Sequence, residues 1–124
     1  LMQILQASPH MEVLVDVYLS EEEWDKAISI AKKAGEWNYS LIEKVADAVF
    51  PFRPDWVIQA SRKQAEGLIA KTQSKYYATA ARWLAKMKQA YLASGRKEEW
   101  LSYLEGLKST YSRRPALQAE LRKL

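Results

Sequence analysis

Residues 74–107 constrain the fold most, because they predict two helices joined by a tight turn at Gly95. Ala, Leu and Lys, which favour helix, dominate this stretch. Its apolar residues recur at spacings of three and four, which is typical of helix faces and not of strands. Only glycine adopts the left-handed helix cap at little cost, so Gly95 is predicted to end the first helix. The stretch therefore predicts a helical hairpin.

The remainder of the chain shows looser versions of the same pattern. Residues 1–7 are predicted to be the tail of an earlier helix, with Ile4 and Leu5 facing inward. Two capping boxes, in which a Ser precedes a Glu by three residues, are predicted at Ser20 and Ser40. Helices are predicted over residues 9–19, 75–94 and 97–111, between Ser20 and Gly35, between Ser40 and Pro51, after Pro54, and from Pro115.

Small residues at a spacing of seven indicate how these helices pair. Ala27 and Ala34 recur seven apart, and so do Ala60 and Gly67, as expected where the two helices of a hairpin approach closely. The predicted fold is all-α: stacked antiparallel hairpins in a degenerate tetratricopeptide-like solenoid of six or seven helices. A plain irregular bundle is the alternative. Residues 1–124 are predicted to be a single domain, and the missing initiator Met favours a fragment of a longer protein.

Composition argues against several classes of function. With no Cys, the chain has neither disulfides nor thiolate metal sites. No apolar run approaches the roughly 18 residues of a membrane span, so no membrane association is predicted. His10 is the only histidine, no glycine-rich phosphate loop occurs, and the acidic run 21–23 is interpreted as a helix start. We therefore predict no catalytic residues, no cofactor and no metal.

Charge divides unevenly along the chain, with −4 over residues 1–62 and +8 over residues 63–124. Such asymmetry favours an acidic partner for the second half, and nucleic acid is one candidate. Lys75, Arg82 and Lys86 form a basic stripe on one face of the predicted fifth helix. Turns could bring Lys71, Arg113 and Arg114 to the same surface. The alternative is that these residues simply solvate an exposed helix face.

An aromatic stripe on the same helix is the other candidate for a functional surface. Tyr76 and Trp83 are predicted either to contact a protein partner, as exposed aromatics of repeat proteins do, or to pack against neighbouring helices. The sequence leaves both interpretations open.

A set of helix-packing motifs runs from Leu14 to the basic end of the chain. The motifs are Tyr18-Leu19, Trp24-Asp25-Lys26-Ala27, the block from Tyr77 to Leu84, the block from Ala90 to Arg96, Glu99-Trp100, Tyr103-Leu104 and Arg113-Arg114. Together they resemble the helical region that follows the SWIM zinc finger in bacterial SWIM-containing proteins. The resemblance implies the C-terminal part of a longer cytoplasmic protein. The zinc ligands of that family, a Cys-x-Cys…Cys-x-His pattern, are absent here, so zinc binding is not implied for any residue of this chain.

Two functions follow as hypotheses. The first is a non-catalytic helical-repeat scaffold that binds a protein partner within a SWIM zinc-finger protein. The second is a nucleic-acid-binding adjunct that uses the basic C-terminal half.

Overall fold

The computed structural model describes residues 9–35 and 38–124, and these residues form helices and turns without any strand. The all-α class is therefore confirmed. The helices are α1 (Pro9–Ser20), α2 (Trp24–Ala34), α3 (Tyr39–Val49), α4 (Pro54–Ala70), a 3₁₀ helix (Ser74–Tyr76), α5 (Tyr77–Ala93), α6 (Lys97–Thr110) and α7 (Pro115–Leu121). The predicted helix tail over residues 1–7 and the side chain of His10 lie outside the described part.

The chain divides into two compact units, a first unit of residues 1–53 and a second unit of residues 54–124. The division coincides with the uneven charge. The first unit carries five Lys and Arg against nine Asp and Glu, a net charge of −4, whereas the second carries fourteen against six, a net charge of +8. If the chain binds an acidic partner, the second unit is therefore the part whose charge favours that binding.

In the first unit, α2 packs against α1 and α3, and α1 also contacts α3. Its core consists of fully buried apolar side chains such as Val15, Ala27 and Val45. The Trp24 and Phe52 rings stack at 4.4 Å between centroids. Beside them, Arg53 Nε donates to Asp25 Oδ1 at 2.8 Å, and this hydrogen bond lowers the pKa of Asp25. The segment that follows α3 is thereby fixed to the start of α2.

Both predicted capping boxes are wrong. Ser20 is the last residue of α1, and the chain reverses through Glu22, which adopts a left-handed φ of 60°. The acidic run 21–23 is thus a turn that precedes α2 and not its first helical turn. Ser40 lies inside α3, whose cap is Asn38, because the amide oxygen of Asn38 accepts a hydrogen bond from the backbone N–H of Leu41.

In the second unit, α5 is the central helix, and it packs against α4, α6, α7 and the 3₁₀ helix. Its pairing with α4 is the most extensive of the molecule. Tyr77, Trp83, Leu84 and Met87 of α5 are buried, as is Trp100 of α6. Because its neighbours cover it on several sides, α5 supplies much of the core of this unit.

The turns that frame α5 agree with the sequence in part. Gly95 has a left-handed φ of +71°, which confirms the predicted helix end. The helix predicted over residues 75–94 begins only at Tyr77, because residues Ser74–Tyr76 form the 3₁₀ helix.

The small residues that allow α4 to approach its neighbours differ from those predicted. Ser61 and Ala65 are fully buried, whereas Gly67 is exposed and a Cβ added there meets no atom within 4 Å. The predicted close approach at Gly67 is therefore wrong. Gly106 of α6 is equally open, so neither glycine is required by packing.

Replacing Gly67 or Gly106 by Ala should raise the free energy of unfolding by about 0.5–1 kcal/mol each. Both lie inside helices, where glycine costs conformational entropy, and neither replacement meets a clash. Urea denaturation followed by circular dichroism measures the change. Gly95→Ala is the control, with an expected loss of about 1 kcal/mol because of its positive φ. A loss of stability at Gly67 or Gly106 would contradict the open space around them.

Candidate functional site

The two aromatic residues predicted as a functional surface, Tyr76 and Trp83, differ in their burial. Trp83 is 1% exposed, because its ring lies in the core of the second unit, so packing and not partner contact explains it. Tyr76 remains partly exposed at the start of α5. Of the two, Tyr76 alone offers a surface to a ligand.

The side chains of two lysines, one before and one after a turn, lie close to the Tyr76 ring. Lys71 Nζ lies 5.1 Å from the ring centroid and Lys75 Nζ lies 5.2 Å from it. The turn between α4 and the 3₁₀ helix places one lysine before and one after the reversal. A cation over an aromatic face is attracted by the ring quadrupole, so Tyr76 holds two positive charges together.

Arg114 reaches the same end of the second unit. Its Nη1 donates to the backbone oxygen of Ile69 at 3.2 Å, in the last turn of α4 and two residues before Lys71. Its guanidinium lies 4.6 Å from the centroid of the Tyr111 ring. The unpaired backbone carbonyls at a helix C-terminus carry partial negative charge and attract a cation, which explains the contact. The turn that leads to Pro115 therefore places Arg114 at the end of α4, where Ile69 precedes Lys71 by two residues in the sequence, and Arg113 is exposed in the same turn.

We call Lys71, Lys75, Tyr76, Arg113 and Arg114 the basic–aromatic cluster. Within the described residues, none of its four cations forms an ion pair with a carboxylate. In the first unit, by contrast, Lys44 pairs with Asp16 and Arg53 with Asp25. The carboxylates of the described residues thus leave the positive charge of the cluster uncompensated.

The backbone at the centre of the cluster is strained. Thr72, next to Lys71, has a φ of 56°, which is rare for a β-branched residue. Its hydroxyl donates to the Lys71 carbonyl at 2.8 Å. Residues held in such conformations cost about 1–3 kcal/mol and gather at functional sites.

Arg82 and Lys86 lie further along α5. Arg82 is exposed, and Lys86 Nζ lies 6.0 Å from the Trp83 ring centroid. Both have additional interaction partners in the structure. They belong to the face of α5 on which the sequence predicted the basic stripe.

A groove on the second unit was not predicted from the sequence. It has a volume of about 330 Å³ and lies where the side chains of α4 face those of α6. Both helices pack mainly on α5, which leaves a gap between them at the surface. The lining residues are Arg62, Glu66, Tyr103, Gly106, Leu107, Thr110 and Tyr111.

One wall of the groove is a hydrogen-bonded triad. Glu66 Oε2 accepts hydrogen bonds from Arg62 Nε at 2.9 Å and from the Tyr103 hydroxyl at 2.6 Å. The Arg62 guanidinium also lies 5.2 Å from the Tyr103 ring centroid. Burial, followed by the hydrogen bond to Glu66, raises the pKa of Tyr103, so its hydroxyl is a protonated donor at neutral pH. The triad fixes Arg62 beside the groove.

The second aromatic of the groove is Tyr111, eight residues after Tyr103. At 1.5 Å per helical residue, the two tyrosines lie about 12 Å apart along α6. Each carries an arginine on its ring, Arg62 on Tyr103 and Arg114 on Tyr111. Gly106 lies between them and adds no side chain to the floor. Arg114 does not itself line the groove, but its guanidinium lies on Tyr111, so the basic–aromatic cluster borders the groove at that end.

The only sequence signals for the groove were weak ones. Arg62 and Glu66 have the four-residue spacing of a helical ion pair, and Gly106 interrupts a helical pattern. Neither signal indicates that α4 and α6 face each other.

Other chemistry is not indicated in residues 9–35 and 38–124. No group of three or more His, Cys, Asp or Glu side chains that could hold a metal ion occurs in this part of the chain. None of its helices combines the length and apolar character needed to cross a bilayer.

Comparison with family models, with curated proteins and with solved structures finds no match to this chain. The functional argument therefore rests on the geometry of the second unit.

Proposed function

We propose that the chain is a non-catalytic helical scaffold that binds a segment of a partner protein in the groove between α4 and α6. The observation that carries the proposal is the open groove, which is walled by two tyrosines and has a glycine at its centre. We further propose that the hairpins stack in a tetratricopeptide-like manner and that the chain belongs to a SWIM zinc-finger protein, as its packing motifs suggest.

The chemistry of the walls suits a protein ligand. Tyr and Arg are the residues most enriched at the energetically important points of protein interfaces. The groove offers two tyrosines and Arg62, and Arg114 borders it through its contact with Tyr111. A length of about 12 Å accommodates two turns of a helix or three to four residues of an extended peptide.

Gly106 supports the same proposal. An interior helical glycine lowers stability, and neither packing nor a positive φ requires one at this position. What the missing side chain provides is space in the groove. Gly67, which is equally open but does not line the groove, provides a matched control.

The first unit offers a further apolar surface. Val13 and Val17 of α1, four residues apart on one helix face, are 58% and 45% exposed. Exposed apolar stripes of this kind are common on scaffolds that contact other proteins.

A peptide-library selection tests groove binding. The full chain, immobilised, should enrich a set of peptides whose binding is lost in Gly106→Leu, because a leucine side chain fills the groove. Gly67→Leu should retain them, since its side chain points into space outside the lining. Circular dichroism confirms that both variants fold. The proposal fails if no peptide is enriched, or if Gly106→Leu binds the enriched peptides as well as Gly67→Leu does.

Nucleic-acid binding is the second candidate, and the basic–aromatic cluster favours it. Its cations lack carboxylate partners among the described residues, and the partly exposed ring of Tyr76 lies beside two of them. Phosphates and stacked bases are the groups that such a surface recognises.

Fluorescence anisotropy with a single-stranded oligothymidylate at two salt concentrations tests this candidate. Each phosphate contact to single-stranded DNA contributes about 0.7 to the slope of log affinity against log salt. Lys71→Gln with Lys75→Gln should therefore reduce the slope by about 1.4. The control is Lys97→Gln with Arg122→Gln, which removes the same charge from exposed positions outside the cluster. Equal losses in both pairs, or no binding at low salt, argue against a nucleic-acid function.

A further inference from the structure

We infer that the groove selects an acidic peptide segment, whose carboxylates are bound by Arg62 at one end and by Arg114 at the other. This inference rests on the proposed function, since it names the chemistry of the protein segment that the groove receives. It depends on three properties of the site: the donors that the two arginines keep available, the distance between them, and the charge around them.

Arg62 presents a prepared set of donors. The hydrogen bond that it makes in the structure uses Nε, which Glu66 accepts, and stacking on Tyr103 fixes the plane of the guanidinium. Within the described part of the chain, its Nη groups make no hydrogen bond. A guanidinium edge with parallel N–H groups matches the two oxygens of a carboxylate. Glu66 thus serves to orient Arg62 while the outer edge stays available.

Arg114 is prepared in the same way. Nη1 donates to the Ile69 carbonyl, and the guanidinium lies against Tyr111, whose ring lines the groove. The hydrogen bond that it makes among the described residues uses that one nitrogen, which leaves Nε and Nη2 as donors. Because both contacts are made by fixed elements, little side-chain entropy remains to be lost on binding.

The spacing defines the ligand further. The tyrosines that carry the two arginines lie about 12 Å apart along α6. In an extended peptide at about 3.3–3.6 Å per residue, that distance separates side chains three to four residues apart. The groove is thus suited to a segment with two acidic residues at this spacing.

Charge complementarity favours an acidic occupant over a neutral one. The second unit has a net charge of +8, and Glu66 is the one carboxylate that lines the groove. Glu66 offsets the charge of Arg62. The surplus comes from Arg114, which is bound to the Ile69 carbonyl, and from Lys71 two residues later in the chain, neither of which has a carboxylate partner in the described residues. An acidic segment neutralises this surplus, whereas a basic one adds to it.

Fluorescence anisotropy with a labelled hexaglutamate peptide and the full chain tests the inference. Hexaglutamate should bind at low salt, a labelled hexalysine should not, and added salt should weaken binding. Arg62→Gln with Arg114→Gln should raise the Kd at least tenfold, as expected for the loss of two charge-assisted contacts. Lys97→Gln with Arg122→Gln, which removes the same net charge at exposed positions outside the groove, should raise the Kd less than about threefold.

Gly106→Leu and Gly67→Leu add a steric test. The first should abolish hexaglutamate binding and the second should retain it, with both variants folded by circular dichroism. Equal losses in the two charge variants would mean general attraction to a basic surface and would overturn the inference. An oligothymidylate that binds in the groove, with hexaglutamate failing to compete, would overturn it in favour of nucleic acid.

Failure of this inference is distinguishable from failure of the proposed function. Suppose that hexaglutamate does not bind, whereas library peptides of other composition bind and lose binding in Gly106→Leu. The inference of an acidic ligand is then wrong, and the proposal of groove binding stands. If library and hexaglutamate both fail, both proposals are wrong.

Discussion

The burial of α5 is the constraint on which the second unit depends. Trp83 of α5 and Trp100 of α6 are each 1% exposed, and a side chain of that size contributes several kilocalories per mole when fully buried. α4 and α6 both pack onto α5, and contacts such as the Glu66–Tyr103 hydrogen bond join the two outer helices through their side chains. The groove is a consequence of this arrangement, because two helices that share a central neighbour leave a gap where their outer side chains face.

Both units contain exposed ion pairs, which contribute little to stability, and cations that lie on aromatic rings. In the second unit, Arg62 and Arg96 have both kinds of contact. Lys71, Lys75 and Arg114 lie on tyrosine rings and form no ion pair among the described residues, so their charge and N–H donors stay available. These three cations and the net charge of +8 locate the candidate site in the second unit.

Helix ends that depend on a nearby glycine or proline were predicted well. Gly95, Pro54 and Pro115 fix helix ends through backbone constraints that operate within a few residues, and the structure has helix boundaries at all three. The capping boxes at Ser20 and Ser40 failed because a Ser–Glu spacing does not reveal whether the preceding helix has ended. α1 continues through Ser20, and Asn38 caps α3 before Ser40 is reached.

The site was predicted only in part, for a related reason. Lys71, Lys75 and Tyr76 are neighbours in sequence, so their proximity could be foreseen. The contact between Arg114 and Ile69 spans 45 residues and follows from tertiary packing alone. The groove was missed altogether, since Arg62 and Tyr103 belong to helices that are separated by α5 in the sequence. The burial of Trp83 remained open because the same spacing suits a core face and a binding face.

Amide chemical-shift mapping of the full chain, titrated with a peptide selected by the library, tests the central claim most directly. The account predicts that the largest shift changes occur at Tyr103, Gly106 and Thr110 of α6 and at Arg62 of α4, with small changes in the first unit. Changes centred on the first unit, or on α5 near Arg82 and Lys86 with the groove amides unmoved, would contradict it.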